Sequence, residues 1–254
     1  MKVIELNNIS LYYDKVCALH DINLAVEEKD FLGIIGPNGG GKTSLFKIIL
    51  GLIPPSSGSI TVFGQSPRKA AGRIGYVPQF SKFDRQFPIN VNDVVLAGRL
   101  RGNRLFRQRF SLEDKQIAAE VMKRLDIYEL RSRQIGSLSG GQLQKVLIAR
   151  AMVSQPDIIL LDEPTASLDS HSKNQIYDIL AELNQDMTIL MVSHDMGVIS
   201  SYVKNIACLN ITLHYHGRPE LTSAILGRTY GCPVELLAHG VPHRVLQHHL
   251  EEKM

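Results

Sequence analysis

The run Gly36-Pro37-Asn38-Gly39-Gly40-Gly41-Lys42-Thr43 matches G-x-x-x-x-G-K-[ST]. Its glycines let the backbone curl so that successive N–H groups point inward at phosphate oxygens. Lys42 adds a positive charge for the β- and γ-phosphates, and Thr43 offers a hydroxyl to Mg²⁺. The run sits between a predicted strand, FLGII, and a predicted helix, SLFKIILGL, as that chemistry requires. A second string, DIILLDEP, is a hydrophobic strand ending in Asp162, where a carboxylate can serve Mg²⁺. Glu163 beside it can orient or deprotonate an attacking water. A third strand, TILMVSHD, ends at His194, a donor suited to a terminal phosphate.

The elements that must position these residues follow from apolar spacing. VIELNNISLYY and DINLAVEEKDFLGII read as consecutive strands. The helix after the glycine loop stops at Gly51, with Pro54 and Pro55 beyond it. GSITVFG and RIGYVPQ are two more short strands. From about Asp84 to Pro156 the pattern turns helical: VNDVVLAGRL is amphipathic, and Ser111 and Asp114 form an S-x-x-D capping pattern. It opens a helix with Ile117, Val121, Leu125 and Tyr128 on one face. Strand and helix then alternate again, with Ile176, Ile179, Leu180 and Leu183 marking a helix between the two buried strands. This alternation predicts an α/β fold with a parallel sheet covered on both faces. NIACLNITLHYHG reads as one strand-like stretch before short helical pieces.

Composition sets outer bounds. The 254 residues are 44% hydrophobic and 21% charged with a net charge of +3, an ordinary globular balance and too weakly basic to imply nucleic acid. Three cysteines, Cys17, Cys208 and Cys232, form neither a disulfide framework nor a CxxC zinc site. No stretch approaches the ~20 apolar residues of a membrane helix, and MKVIELNNIS lacks the apolar run of a secretory signal, so a cytoplasmic location is expected.

Leu138-Ser139-Gly140-Gly141-Gln142, LSGGQ, resembles the signature motif of the ATP-binding subunits of ABC transporters, and the other motifs follow in that family's order over about residues 3 to 220. The resemblance implies a P-loop ATPase with a mostly parallel core sheet, an N-terminal antiparallel β subdomain and a helical signature subdomain. The ATPase domain would span residues 1–226, with the helical subdomain at about 84–156 and a tail at 227–254. It implies that Tyr13, with Tyr12 as a neighbouring candidate, stacks on adenine. It also implies that Ser44 joins the loop residues Gly36 to Thr43 around nucleotide, and that Gln79 is the Q-loop glutamine touching Mg²⁺ or water. Glu163, His194 and Gln79 would be catalytic, and Asp169 belongs to a D-loop. Ser139, Gly140, Gly141 and Gln142 would meet the ATP of a second subunit, giving a homodimer around two ATP molecules. Two permease subunits and, indirectly, a substrate-binding protein complete the expected partners, with the chain peripheral on the cytoplasmic face of the membrane. Gly40 and Lys145 depart from the family's usual Ala or Ser and Arg.

SKFDRQFPINVNDVVLAGRL is similar to the matching segment of importers for zinc, manganese or chelated iron, with iron-siderophore or cobalamin importers as the alternative. A soluble ABC ATPase acting on DNA or ribosomes would carry coiled coils, zinc CxxC pairs or two fused cassettes, and none is visible here. Glu163 and His194 argue against a regulator without turnover. Arg99, Arg101, Arg104, Arg107 and Arg109 read as a solvated face, with contact to membrane subunits or headgroups as the alternative. His214, His216, His239, His243, His248 and His249, near Cys232, read as solvated residues, with a metal sensor as the alternative.

Overall fold

Alternating side chains along three short strands divide the protein into two cores. The computed structural model describes residues 1–79, 87–100, 110–194, 201–218 and Thr229. In β3 (Phe31–Ile35), β6 (Ile158–Asp162) and β7 (Thr188–Val192) every residue is buried, so both faces of their sheet are covered. Leu32, Ile34, Ile158, Leu160, Leu190 and Val192 point into one core; Phe31, Ile35, Ile159, Leu161, Ile189 and Met191 point into the other.

The first core is closed by an antiparallel sheet of β1 (Lys2–Tyr13), β2 (Val16–Glu27) and β4 (Ser57–Val62), ordered β2-β1-β4. Helix α1 (Lys42–Ile49) contributes Leu45, Phe46, Ile48 and Ile49 to the same cluster. A four-residue helix, α2 (Pro67–Ala70), leads into β5 (Ile74–Val77). The second core combines Ile176, Leu180 and Leu183 of α6 (Ser170–Leu183) with side chains from α3 (Val91–Ala97), α4 (Leu112–Arg124) and α5 (Gly140–Met152).

The larger sheet has the order β5-β6-β7-β3-β8-β9, with β8 (Asn205–Asn210) parallel to β3 and β9 (Thr212–Gly217) antiparallel at the edge. This is the expected α/β architecture, mostly parallel with a separate antiparallel N-terminal sheet. The predicted capping pattern at Ser111 forms a full capping box with Asp114. Two expectations need correction. Helix α4 ends at Arg124 and Asp126 takes a positive φ, so Tyr128 lies in a following 3₁₀ turn rather than on the helix. NIACLNITLHYHG is two antiparallel strands, because Ile211 at φ 62° reverses the chain between them. Among the described residues, no helix is long and apolar enough to cross a membrane.

Candidate active site

Strand order explains why residues far apart in sequence meet. Neighbouring strands β5, β6, β7 and β3 run parallel, so their C-terminal ends share one edge of the sheet, where open α/β sheets bind ligands. Gln79 follows β5, Asp162 and Glu163 end β6, His194 follows β7, and the glycine loop follows β3.

The loop curls into α1 through positive φ at Gly36, Gly39 and Gly41, the last at 92° as the helix N-cap. Gly36 has no alternative: a Cβ there would lie 1.8 Å from the Leu209 carbonyl oxygen. Lys42 is buried, and its Nζ donates to the carbonyls of Gly36 at 2.9 Å and Pro37 at 2.8 Å. Burial holds its pKa below the usual lysine range, opposed by the charges of Glu163 and Asp162. A phosphate in the loop would compete with those two carbonyls for the ammonium.

The Thr43 hydroxyl donates to Asp162 Oδ2 at 2.9 Å. Burial raises the Asp162 pKa, the Thr43 hydrogen bond and Lys42 working against it and the Glu163 charge with it. Glu163 is held at both carboxylate oxygens: Gln79 Nε2 donates to Oε2 at 2.7 Å, and His194 Nε2 pairs with Oε1. Its backbone is at φ 51°, an uncommon conformation for a residue with a Cβ, anchored by its N–H to the Val192 carbonyl at 3.1 Å. The carboxylate is thus aimed from a strained turn and gripped by the two neighbouring strands' ends.

Tyr13 is half exposed, with its hydroxyl 3.4 Å from Ser44 Oγ; Tyr12 lies beside Cys17 instead. The structure therefore brings Tyr13, Ser44, Lys42, Thr43, Gln79, Asp162, Glu163 and His194 to one region.

LSGGQ lies elsewhere. Ser139 is the N-cap of α5 and closes a capping box with Gln142. A Cβ on Gly140 would touch Leu168, and one on Gly141 would touch Ser172, so this motif packs on the segment of Asp169. Asp169 caps α6, accepting from the Ser172 N–H and hydroxyl, and these bonds lower its pKa.

Comparison with known proteins decides the family. Residues 19–166, more than half of the protein, match the family described as ABC transporter. The chain belongs to that family. Similar relatives include a zinc uptake system ATP-binding protein ZurA of Listeria innocua, 41% identical over 85% of this chain and 86% of the relative. A manganese transport system ATP-binding protein MntB of Bacillus subtilis is 39% identical over 90% and 92%. Among solved structures, an ABC transporter described as of metal-chelate type, in an inward-facing conformation, superposes with a TM-score of 0.81 at 32% identity. That match covers 91% of this chain and 90% of the other. A dimeric ATP-binding cassette bound to ADP and Pi gives a TM-score of 0.69 at 27% identity, over 86% and 100%. As an ABC ATPase the protein binds and hydrolyses ATP.

One expectation changes on this geometry. Arg99 is not solvated: Nε donates to Asp114 at 2.7 Å and a terminal nitrogen to the Val153 carbonyl at 3.0 Å, tying α3 to α4 and α5. Arg101, Arg104, Arg107 and Arg109 lie outside the described residues, as do residues 83–86 of the FDRQFP segment and His239, His243, His248, His249 and Cys232. Of the histidines in the C-terminal part, His214 is exposed and near Thr212. No group of three metal-ligating side chains occurs among the described residues. Sequence reasoning missed the backbone of Leu209, Asn210 and Ile211, which underlies the glycine loop. These residues carry no reactive side chain, and the one available signal was glycine at position 40. An added Cβ there would lie 3.0 Å from the Pro37 carbonyl oxygen and 3.1 Å from that of Leu209.

Proposed function

We propose that this chain is the ATPase of an importer for zinc or manganese ions, acting as a homodimer on the cytoplasmic face of the membrane. It would drive two permease subunits served by a substrate-binding protein, with no part for nucleic acid. The convergence of Lys42, Thr43, Asp162 and doubly held Glu163 at one sheet edge carries the ATPase part of this reading. The metal substrate rests on the similarity to the zinc and manganese relatives and on the FDRQFP segment.

The chemistry follows from the positions. Glycine-loop N–H groups and Lys42 hold the β- and γ-phosphates. The Thr43 hydroxyl, the Asp162 carboxylate and the Gln79 side-chain oxygen are the hard donors Mg²⁺ prefers, and a single carboxylate fits an ion held mainly by substrate phosphates. Mg²⁺ bound there would neutralise charge on the transferring phosphoryl group. Glu163 orients water and takes its proton as the oxygen bonds to the γ-phosphorus and the bond to the ADP oxygen breaks. Gln79 and His194 keep its carboxylate aimed. Ser139 and Gly141 at the start of α5 reach the γ-phosphate of the partner's ATP, where the positive end of a helix favours an anion.

Deleting the gene is expected to lower cellular zinc or manganese more than any other metal, as read by elemental analysis. Normal zinc and manganese with failed ferric-chelate or cobalamin uptake would instead assign the alternative importer class. For the shared site, Glu163→Gln protein with ATP should run as a dimer by light scattering and dissociate on exchange into ADP. A monomer at saturating ATP, even with the membrane subunits supplied, would refute the sharing.

A further inference from the structure

The glycine loop does not rest on its own strand alone. Beneath it lies the turn between β8 and β9. The Leu209 carbonyl oxygen comes so close that only glycine fits at position 36, and the same oxygen and the Asn210 Cα would crowd a Cβ at position 40. Ile211 N–H donates to the Gly40 carbonyl at 3.0 Å, and the Ile211 carbonyl accepts from His20 N–H at 2.8 Å. The turn thus bridges the loop to β2. Ile211 makes both bonds at φ 62°, a left-handed conformation that a β-branched residue strongly disfavours. A conformation of this kind persists where its surroundings impose it.

A third contact reaches the turn from later in the chain. Asn210 Nδ2 donates to the Thr229 carbonyl at 2.9 Å, and Thr229 is fully buried. Thr229 therefore holds Asn210, at the end of β8, through its backbone carbonyl.

We propose that Asn210 and Ile211 are positioning residues for the glycine loop, and that Thr229, by holding Asn210, sets how tightly the loop holds nucleotide phosphate. This rests on the reading of Gly36 to Thr43 as the phosphate cradle. Their action is confined to substrate binding, because Glu163, His194 and Gln79 are placed by β6, β7 and β5 and not by the turn.

The test is steady-state ATPase kinetics with calorimetric ATP binding on the full chain. Asn210→Ala, and Asn210→Asp as a variant of similar size that cannot donate to the Thr229 carbonyl, should raise KM and Kd for ATP about threefold to tenfold, the worth of one hydrogen bond. Turnover number should stay within about twofold, because uniform binding is what is lost. Ile211→Pro, which removes the N–H to Gly40 and forbids positive φ, should raise KM further. If that variant does not fold, the two Asn210 variants still decide the matter. A purely structural role would lower kcat through loss of active protein while leaving KM unchanged. That result, or unchanged KM and kcat in both Asn210 variants, overturns the proposal. Lys42→Ala tests the underlying reading separately: wild-type ATP affinity in that variant would remove the cradle itself, whatever the turn does.

Discussion

The sheet edge around Glu163 and the start of α5 at Ser139 are built in opposite ways. At the sheet edge, side chains from different strands satisfy one another: Thr43 with Asp162, Gln79 and His194 with Glu163, Lys42 with loop carbonyls. At α5 the side chains satisfy their own backbone, Ser139 and Gln142 capping each other across one helical turn. The first arrangement concentrates charge from several strands at one point. The second makes an exposed helix start on a rigid seat against Leu168 and Ser172. A charged centre assembled across strands can run a reaction, whereas a self-capped helix end is suited to receiving a group brought by another molecule.

The largest effect that could break this contrast is at Glu163. Glu163→Gln should reduce steady-state ATP hydrolysis about a hundredfold or more while leaving ATP binding in place, since the phosphate cradle is untouched. Hydrolysis above about a tenth of wild type would move the role of general base elsewhere. Next in size is a mixing experiment. Lys42→Ala and Ser139→Arg chains should each be inactive alone, and combined they should recover activity through the heterodimer site that carries neither lesion. If one intact site suffices and no recovery occurs, the two regions act within one chain and the contrast drawn above loses its functional meaning.

A smaller effect separates capping from contact. Ser139→Ala should cost about 1 kcal/mol of stability through loss of the N-cap, read as a lower denaturant midpoint. ATP affinity of the monomer should be unchanged. The smallest effect concerns acid. The Arg99 guanidinium, with help from the Ser111 N–H and hydroxyl, holds the Asp114 pKa below the usual carboxylate range. A folded-state pKa below the unfolded value near about 3.9 means the pair stabilises fully above that pH. Its contribution fades as pH falls through the depressed pKa. Asp114→Asn should therefore lower the melting temperature at neutral pH, and the gap to wild type should close under acid conditions. A gap independent of pH would show that the charge on Asp114 is not what stabilises this corner.

Much of the site was legible because its residues carry their chemistry in their types and spacing. Lys42 and Thr43 after a glycine run, and Asp162 and Glu163 after an apolar run, could be placed at strand ends without coordinates. The sheet order was less accessible. Nothing in the spacing says that β7 lies between β3 and β6, and it is that insertion which brings His194 to Glu163. The turn at Ile211 was invisible for a different reason. Isoleucine is a strand former, so its local preference pointed to continuous extension, and long-range bonds to Gly40 and His20 override it. Arg99 was misjudged by composition: within a run of arginines it looked solvated, although its partner Asp114 lies fifteen residues away in the next helix.

The second core has a consequence for anyone dissecting this protein. Its side chains run without interruption from the central strand, through Phe31 and Ile35, to Ala118 and Met122 of α4 and Leu143 and Val146 of α5. A fragment containing α3, α4 and α5 alone would expose the flanks that these helices now turn toward the sheet, and the remainder would lose one wall of its interior. Transplanting the LSGGQ segment between relatives should accordingly succeed only when the strand residues facing it travel with it. The unit of recombination is the helices together with the face of the sheet on which they sit.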